Sequence, residues 1–503
     1  MARRSIAIAP LIAALIVGVA ICAPVALVLF EANGWGHWGP RDSDALGFSL
    51  WQASLSAVMS CTIGGLFAWA LFRRDFVGKS ILLALIGAPF LLSVLVAILG
   101  LVLVFGPRGL VASVLPLPSI YGPYGVIIAH VFFNMPLATR VMFHGFQAIP
   151  PEHFRLAQSL GLNPAQTLWY AAGPMLRSTV PAVMSVIFLI CLGSFTVPLT
   201  LGGGPQSTTL ELGIYQAFRF DFDLGRAARL ALTQAALGLG LTACAYLLGG
   251  HMIERGGART SRIAWRASTA EAVFCWAVIT VCAGFLLVPM SAALWRAMGG
   301  MFDLPIAVWG ALGTSVYVAV GASVIAMLLG LALMQRAWGT WVSLLALSIS
   351  PIVLGLGAYL GLRPFVLPTL WGKEVMMLSN ALTALPFVTA SLRPRYGDIT
   401  GRYARLRASY GMSVWAWWMH VVLPNLAPTL GFSIGVSLAL SMGDLGVILL
   451  FSDAQAPTLP QMIYAMMGQY RIDAATSAAI LLMIASFSLF AICSWIGERY
   501  ARL

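Results

Sequence analysis

Few residues in this chain are placed to do chemistry. Gly78-Lys79-Ser80 has the ending of a phosphate-binding loop, in which backbone amides and a lysine cradle a nucleotide. That loop needs a glycine five residues ahead of its Gly-Lys pair, and Arg73 stands there instead. The run also leads straight into an apolar stretch with no strand before it, so a nucleotide site in this chain is set aside. The seven cysteines, Cys22, Cys61, Cys191, Cys244, Cys275, Cys282 and Cys493, all fall in apolar runs and form no CxxC pair. They read as small packing residues, and neither a disulfide nor a metal site is expected. Ionisable groups inside the apolar runs are scarce. Asp444, in the run MGDLG, is the clearest, and His130 and Arg140 share another run. A carboxylate at membrane depth faces a cavity or a partner. Two roles fit Asp444: a cavity carboxylate that helps a cation across, or a structural group at a glycine-loosened helix, paired with an arginine or exposed near the outer edge.

The elements that must hold these groups are membrane helices. The chain of 503 residues is 60% hydrophobic and only 9% charged, which excludes an ordinary soluble domain. Apolar runs of about 20 residues recur without strict alternation, which favours helices over a barrel. Twelve spans are expected, near 6–30, 48–72, 80–105, 122–142, 176–201, 227–250, 272–295, 309–334, 342–362, 373–393, 426–450 and 476–497. The fold class is therefore an all-α integral membrane protein. The first run is too long for a signal h-region and is kept as a span.

The net charge of +12 is no sign of nucleic-acid binding. Arg3, Arg4, Arg73, Arg74, Lys79, Arg255, Arg259, Arg262, Arg266, Arg395, Arg402, Arg405 and Arg407 all fall on one side of the twelve-span arrangement. Asp42, Asp44, Asp221, Asp223, Asp303, Asp453 and Asp473 fall on the other. Positive charge stays inside, so both termini are expected in the cytoplasm.

The chain says the same thing twice. Pro136 and Pro386, Gly161 and Gly411, Pro174 and Pro424, and Gly193 and Gly443 are each 250 residues apart. Later the offset is 249, where TTLELGIY at 208–215 answers PTLPQMIY at 457–464. Two tandem six-helix halves follow, 1–262 (core about 48–252) and 263–503 (core about 309–497), joined by an arginine-rich linker near 256–268. Six spans per half give both the same orientation, so a path between parallel repeats is the natural consequence. Ser194 is the first-half counterpart of Asp444.

The stretch SLGLNPAQTLWYAAGPML at 159–176 is answered by SYGMSVWAWWMHVVLPNL at 409–426. In each, a glycine suits a helix end, and Asn163 or Ser413 suits the N-cap of the next helix. A short helix, a sharp glycine turn and a second short helix are expected, with Pro174 and Pro424 breaking the chain before the next span. Trp169, Tyr170, Trp415, Trp417 and Trp418 suit the membrane interface.

These stretches resemble the cytoplasmic loop of type I ABC importer permeases, which reads Glu-Ala-Ala, Gly at the seventh position, and Leu-Pro thirteen residues beyond. Gly161 and Pro174, and Gly411 and Pro424, match. Arg155-Leu156-Ala157 and Arg405-Leu406-Arg407 stand where Glu-Ala-Ala would, so the family glutamate's ion pair is not carried over. The stretches 199–228 and 442–471 further resemble the fused permease of bacterial thiamine/thiamine-pyrophosphate ABC importers. Fused ferric-iron permeases share the architecture and are the alternative; an ion-coupled twelve-span transporter is disfavoured by the few intramembrane charges. The resemblance implies a transport subunit of the bacterial inner membrane with no enzymatic site and no cofactor of its own. Two copies of an ABC ATPase, holding ATP and Mg, would dock on the two loops. A periplasmic thiamine-binding protein would deliver the cargo, and Asp444 and Ser194 would flank the path of the thiazolium.

Overall fold

The computed structural model describes residues 2–32, 38–87, 93–107, 109–111, 119–249, 269–300, 304–451 and 457–501. The expected linker and the residues Asp303 and Asp453 lie outside them. The first half runs α1 (Ala2–Glu31), α2 (Pro40–Arg73), α3 (Lys79–Gly87), α4 (Val94–Phe105), α5 (Pro123–Ala148), α6 (Pro151–Ser159), α7 (Pro164–Thr167), α8 (Gly173–Leu192), α9 (Thr196–Leu201), α10 (Leu210–Arg219) and α11 (Leu224–Gly249). The second runs α12 (Thr269–Met298), α13 (Ile306–Leu333), α14 (Gly339–Leu347), α15 (Pro351–Leu362), α16 (Gly372–Arg402), α17 (Ala404–Ser409), α18 (Val414–Trp417), α19 (Leu423–Met442), α20 (Gly446–Phe451), α21 (Leu459–Gly468) and α22 (Ile472–Tyr500). Prolines open α2, α5, α6, α7 and α15, where a missing N–H costs nothing and the fixed φ suits the first turn.

The protein is an all-α membrane protein. Among the described residues nine helices are long and apolar enough to cross a membrane, or ten if α14 and α15, bent by 79° at their junction, form one broken span. The other two expected spans fall on α3–α4 and on α11. Of the first, the described residues give α3, 9 residues long, and α4, 12 residues long, each too short alone. The second, α11, carries Arg226 and Arg229 in its opening turns and no charged residue from 232 to 249.

The repeat extends to single hydrogen bonds. Ser49 Oγ of α2 accepts the Leu210 N–H that opens α10, and Ser315 Oγ of α13 accepts the Leu459 N–H that opens α21, each at 2.8 Å. In both halves the second long helix packs on its half's central pair, α2 on α5 and α8, α13 on α16 and α19. The first helices are exchanged: α1 lies against α15 of the second half, and α12 against α4 of the first.

Candidate functional site: a cavity between the halves and two glycine turns

The sequence places a span at 426–450 with Asp444 two-thirds along it. In the structure that span begins earlier, at Val414, and stops at Met442. The chain then opens for a few residues and re-enters helix at Gly446, so Asp444 sits in the break, not inside a helix. The first half does the same, with α8 ending at Leu192 and α9 starting at Thr196 around Ser194. Breaking a helix at membrane depth frees backbone carbonyls, which must find donors. Gln52 donates to the Cys191 carbonyl at 2.9 Å and Gln234 to the Leu192 carbonyl at 3.0 Å. Asn380 donates to Ser441 Oγ at 2.9 Å in the second half. Asp444 Oδ1 accepts the Gly446 N–H at 3.2 Å and so caps the restarted helix.

The two breaks meet. A cavity of about 270 Å³ is lined from α5, α8 and α9 on one side and from α16, α19 and the start of α15 on the other. Ser194 and Asp444 both line it, so the two path residues expected from the repeat share one space. Ser93, His130, Asn134, Asn380 and Thr383 line it as well. Asp444 and His130 are its titratable lining residues, and no lysine or arginine is among them. Asp444 Oδ2, both ring nitrogens of His130 and Ser93 Oγ are buried without a hydrogen-bond partner among the described residues. In the sequence His130 stands out as a charge in a span, whereas Asn134, Asn380 and Thr383 are uncharged and draw no notice there. The signal was there. Asn134 follows His130 by one helical turn in an apolar run, and Asn380 occupies the His130 position of the second half.

The glycine turns have the expected local geometry. Gly161 and Gly411 take φ of +68° and +56°. The Leu162 N–H returns to the Ala157 carbonyl at 3.0 Å, and Met412 to Arg407 at 3.3 Å, closing each helix end. Asn163 and Gln166 cap each other reciprocally, the Gln166 N–H giving to Asn163 Oδ1 at 2.8 Å and the Asn163 N–H to Gln166 Oε1 at 3.0 Å. Ser413 Oγ accepts the Ala416 N–H at 3.2 Å.

Pro174 and Pro424 do not break the chain before the span. Each follows a π-helical turn, Leu168–Ala172 or Trp418–Val422, and the helix runs on. Proline lacks the N–H that an α-helical bond needs, and a π turn absorbs the mismatch without ending the helix. The second short helix is thus the first turn of the span itself. Leu156 and Leu406, and Leu160 and Tyr410, lie exposed at equivalent positions of the two loops. Arg155 and Arg405 are exposed beside them. Arg407 is half-buried, its guanidinium 5.1 Å from the centre of the Trp417 ring.

Over 490 residues the chain is 33% identical to the thiamine transport system permease protein ThiP of Brucella abortus, covering 92% of this chain and 90% of that one. Over 513 residues it is 34% identical to that of Escherichia coli, covering 94% of each. The chain belongs to the family of thiamine transport system permeases. A shorter relative, the sulfate transport system permease protein CysW of Synechococcus elongatus, is 28% identical over 234 residues. That match takes in 44% of the permease described here but 82% of the sulfate protein. No family model matches the chain.

Proposed function

We propose that this permease moves thiamine, or its phosphates, across the bacterial inner membrane as the transmembrane subunit of an ATP-driven importer. The observation that carries the reading is identity to thiamine permeases along almost the whole chain, 97% of it in the Salmonella typhimurium relative. The same likeness favours thiamine over ferric iron. The halves, 1–262 and 263–503, act as the two permease units. The match of half this chain to most of the sulfate permease supports that division.

The cargo passes through the cavity where Ser194 and Asp444 meet. Two copies of an ATPase, which hold the ATP and Mg, dock on the loops containing Arg155, Leu156, Ala157, Gly161, Asn163 and Pro174, and Arg405, Leu406, Arg407, Gly411, Ser413 and Pro424. The exposed leucines and arginines there suit a partner with an apolar groove and an acidic rim. Both termini and both loops face the cytoplasm, and a periplasmic thiamine-binding protein delivers cargo to the other side. No nucleic acid takes part.

The test is uptake of labelled thiamine by vesicles holding the permease with its ATPase and binding protein. Uptake should stop on ATP depletion and persist when the proton gradient is collapsed. Loss on gradient collapse with ATP present would overturn the ATP-driven reading.

A further inference from the structure

The two halves repeat the same order of helices, and they present different residues to the cavity. With the offset of 250, His130 stands opposite Asn380, Phe133 opposite Thr383, and Ser194 opposite Asp444. All six line the cavity. At these three positions the first half presents two aromatic rings and a hydroxyl, although Asn134 and Ser93 of the same half line the cavity too. The second presents an amide, a hydroxyl and the carboxylate.

The carboxylate has a local duty, facing the backbone N–H groups that open α20, but among the described residues Oδ2 is buried with no hydrogen-bond partner. A buried anionic oxygen without a donor is costly, and a cation or a donor from outside the chain would offset the cost. Among the described residues no lysine or arginine lines the cavity to do so.

We propose that this cavity is an asymmetric binding station for a flat cationic ring. Asp444 is its counter-ion on the second-half wall, and His130 and Phe133 supply ring faces on the first-half wall. Aromatic faces attract cations, and more strongly where water is excluded. A thiazolium offers both features: a planar ring that stacks and a fixed positive charge that no proton loss can remove. Asp444 would thus determine specificity, distinguishing the charged ring from a neutral one of the same shape. The proposal rests on the cavity being the permease's path.

The experiment compares uptake of thiamine with uptake of a neutral isostere in which a thiophene replaces the thiazolium, using the complete importer in vesicles. Asp444→Asn keeps an oxygen for the helix cap and removes the charge. Asp444→Ser copies the residue that the first half already carries at this position, and guards against a folding failure. Both variants should lower the preference for thiamine over the isostere about ten- to a hundredfold. An unchanged preference, whether total uptake falls or not, would overturn Asp444 as the counter-ion. Thr383→Trp, which fills the cavity, separates the two claims. It should abolish uptake of both compounds. Normal uptake by Thr383→Trp would mean that the cargo travels elsewhere, whereas blocked uptake with an unchanged Asp444→Asn preference would mean that the path is right and the counter-ion wrong.

Discussion

Gly100 in α4 lies against the backbone of Pro289 in α12, so close that a β-carbon added there would stand 2.6 Å from the Pro289 carbonyl oxygen. Gly357 in α15 meets the Pro24 carbonyl of α1 in the same way. The two contacts are one contact made twice: each half's first helix crosses to the other half and is received by a glycine. Small residues let helix backbones approach in a membrane, where lipid offers no hydrophobic drive to bring them together. The exchange locks the halves across the plane that also contains the cavity.

Gly100→Val and Gly357→Val should therefore each destabilise the permease, by about 1–3 kcal/mol for a forced overpacking. Gly284→Val is the control, since nothing lies within 4 Å of a β-carbon at that position of α12. Thermal unfolding of the detergent-solubilised protein reads the difference. Equal melting temperatures for Gly357→Val and Gly284→Val would show that the crossing does not hold the halves.

A second bond crosses the same boundary. Arg73, the last residue of α2, donates from Nε to Glu271 Oε1 at 2.6 Å near the start of α12, with both side chains 6% exposed. Removing one member of a buried pair strands the other charge, at a cost of about 3–5 kcal/mol. Arg73→Ala should be severely destabilising. The double change Arg73→Met with Glu271→Gln should be milder, because it removes both charges of the pair together. Expression level and melting temperature test this, and equal damage from the single and double changes would contradict it.

Much of this organisation is legible in the sequence, and the limits are physical. The 250-residue offset placed the glycine turns, and Gly161 and Gly411 have the left-handed backbone that glycine at a helix end implies. Hydropathy found the long apolar helices but not the breaks at Ser194 and Asp444. Residues flanking those breaks are themselves apolar, such as Leu192, Val197 and Val447, so a window average runs straight through. The π turns were hidden for a related reason: a proline says that one hydrogen bond is missing, not whether the helix ends or bulges. The helix exchange could not be read at all, because an apolar stripe does not name the helix it packs on.

Orientation is open to a direct test. Gly161 and Gly411 are expected in the cytoplasm and Asp221 in the periplasm. Three acids of that far face are tied to cations, with Arg226 reaching Asp42 and Asp221 at 2.8 Å each and Arg296 reaching Asp473 at 2.6 Å. Single cysteines at 161, 411 and 221 in a cysteine-free background should divide accordingly. An impermeant thiol reagent applied to intact spheroplasts should label only position 221. Labelling at 161 or 411 would invert the arrangement.

The glycine turns make the last prediction, about coupling. Nothing lies within 4 Å of a β-carbon at Gly161 or Gly411, so a larger side chain meets no steric obstacle. The penalty is purely conformational: a β-branched residue held at positive φ costs about 1–2 kcal/mol. Gly161→Val or Gly411→Val should leave the spans inserted and the protein folded, since the apolar helices on either side are untouched. The turn itself should shift toward another backbone conformation. Leu156 and Leu160, or Leu406 and Tyr410, would then be presented to the ATPase at the wrong angle. Each single change should weaken ATPase co-purification and substrate-stimulated ATP hydrolysis if, as proposed, the two loops serve two equivalent partners. The double change should do more than either. Because the α8 and α19 spans run unbroken from these loops to the breaks at Ser194 and Asp444, the defect should reach transport as well. Normal coupling and normal uptake in the double variant would mean that the repeated turns are interfacial spacers, and that the ATPase grips the permease elsewhere.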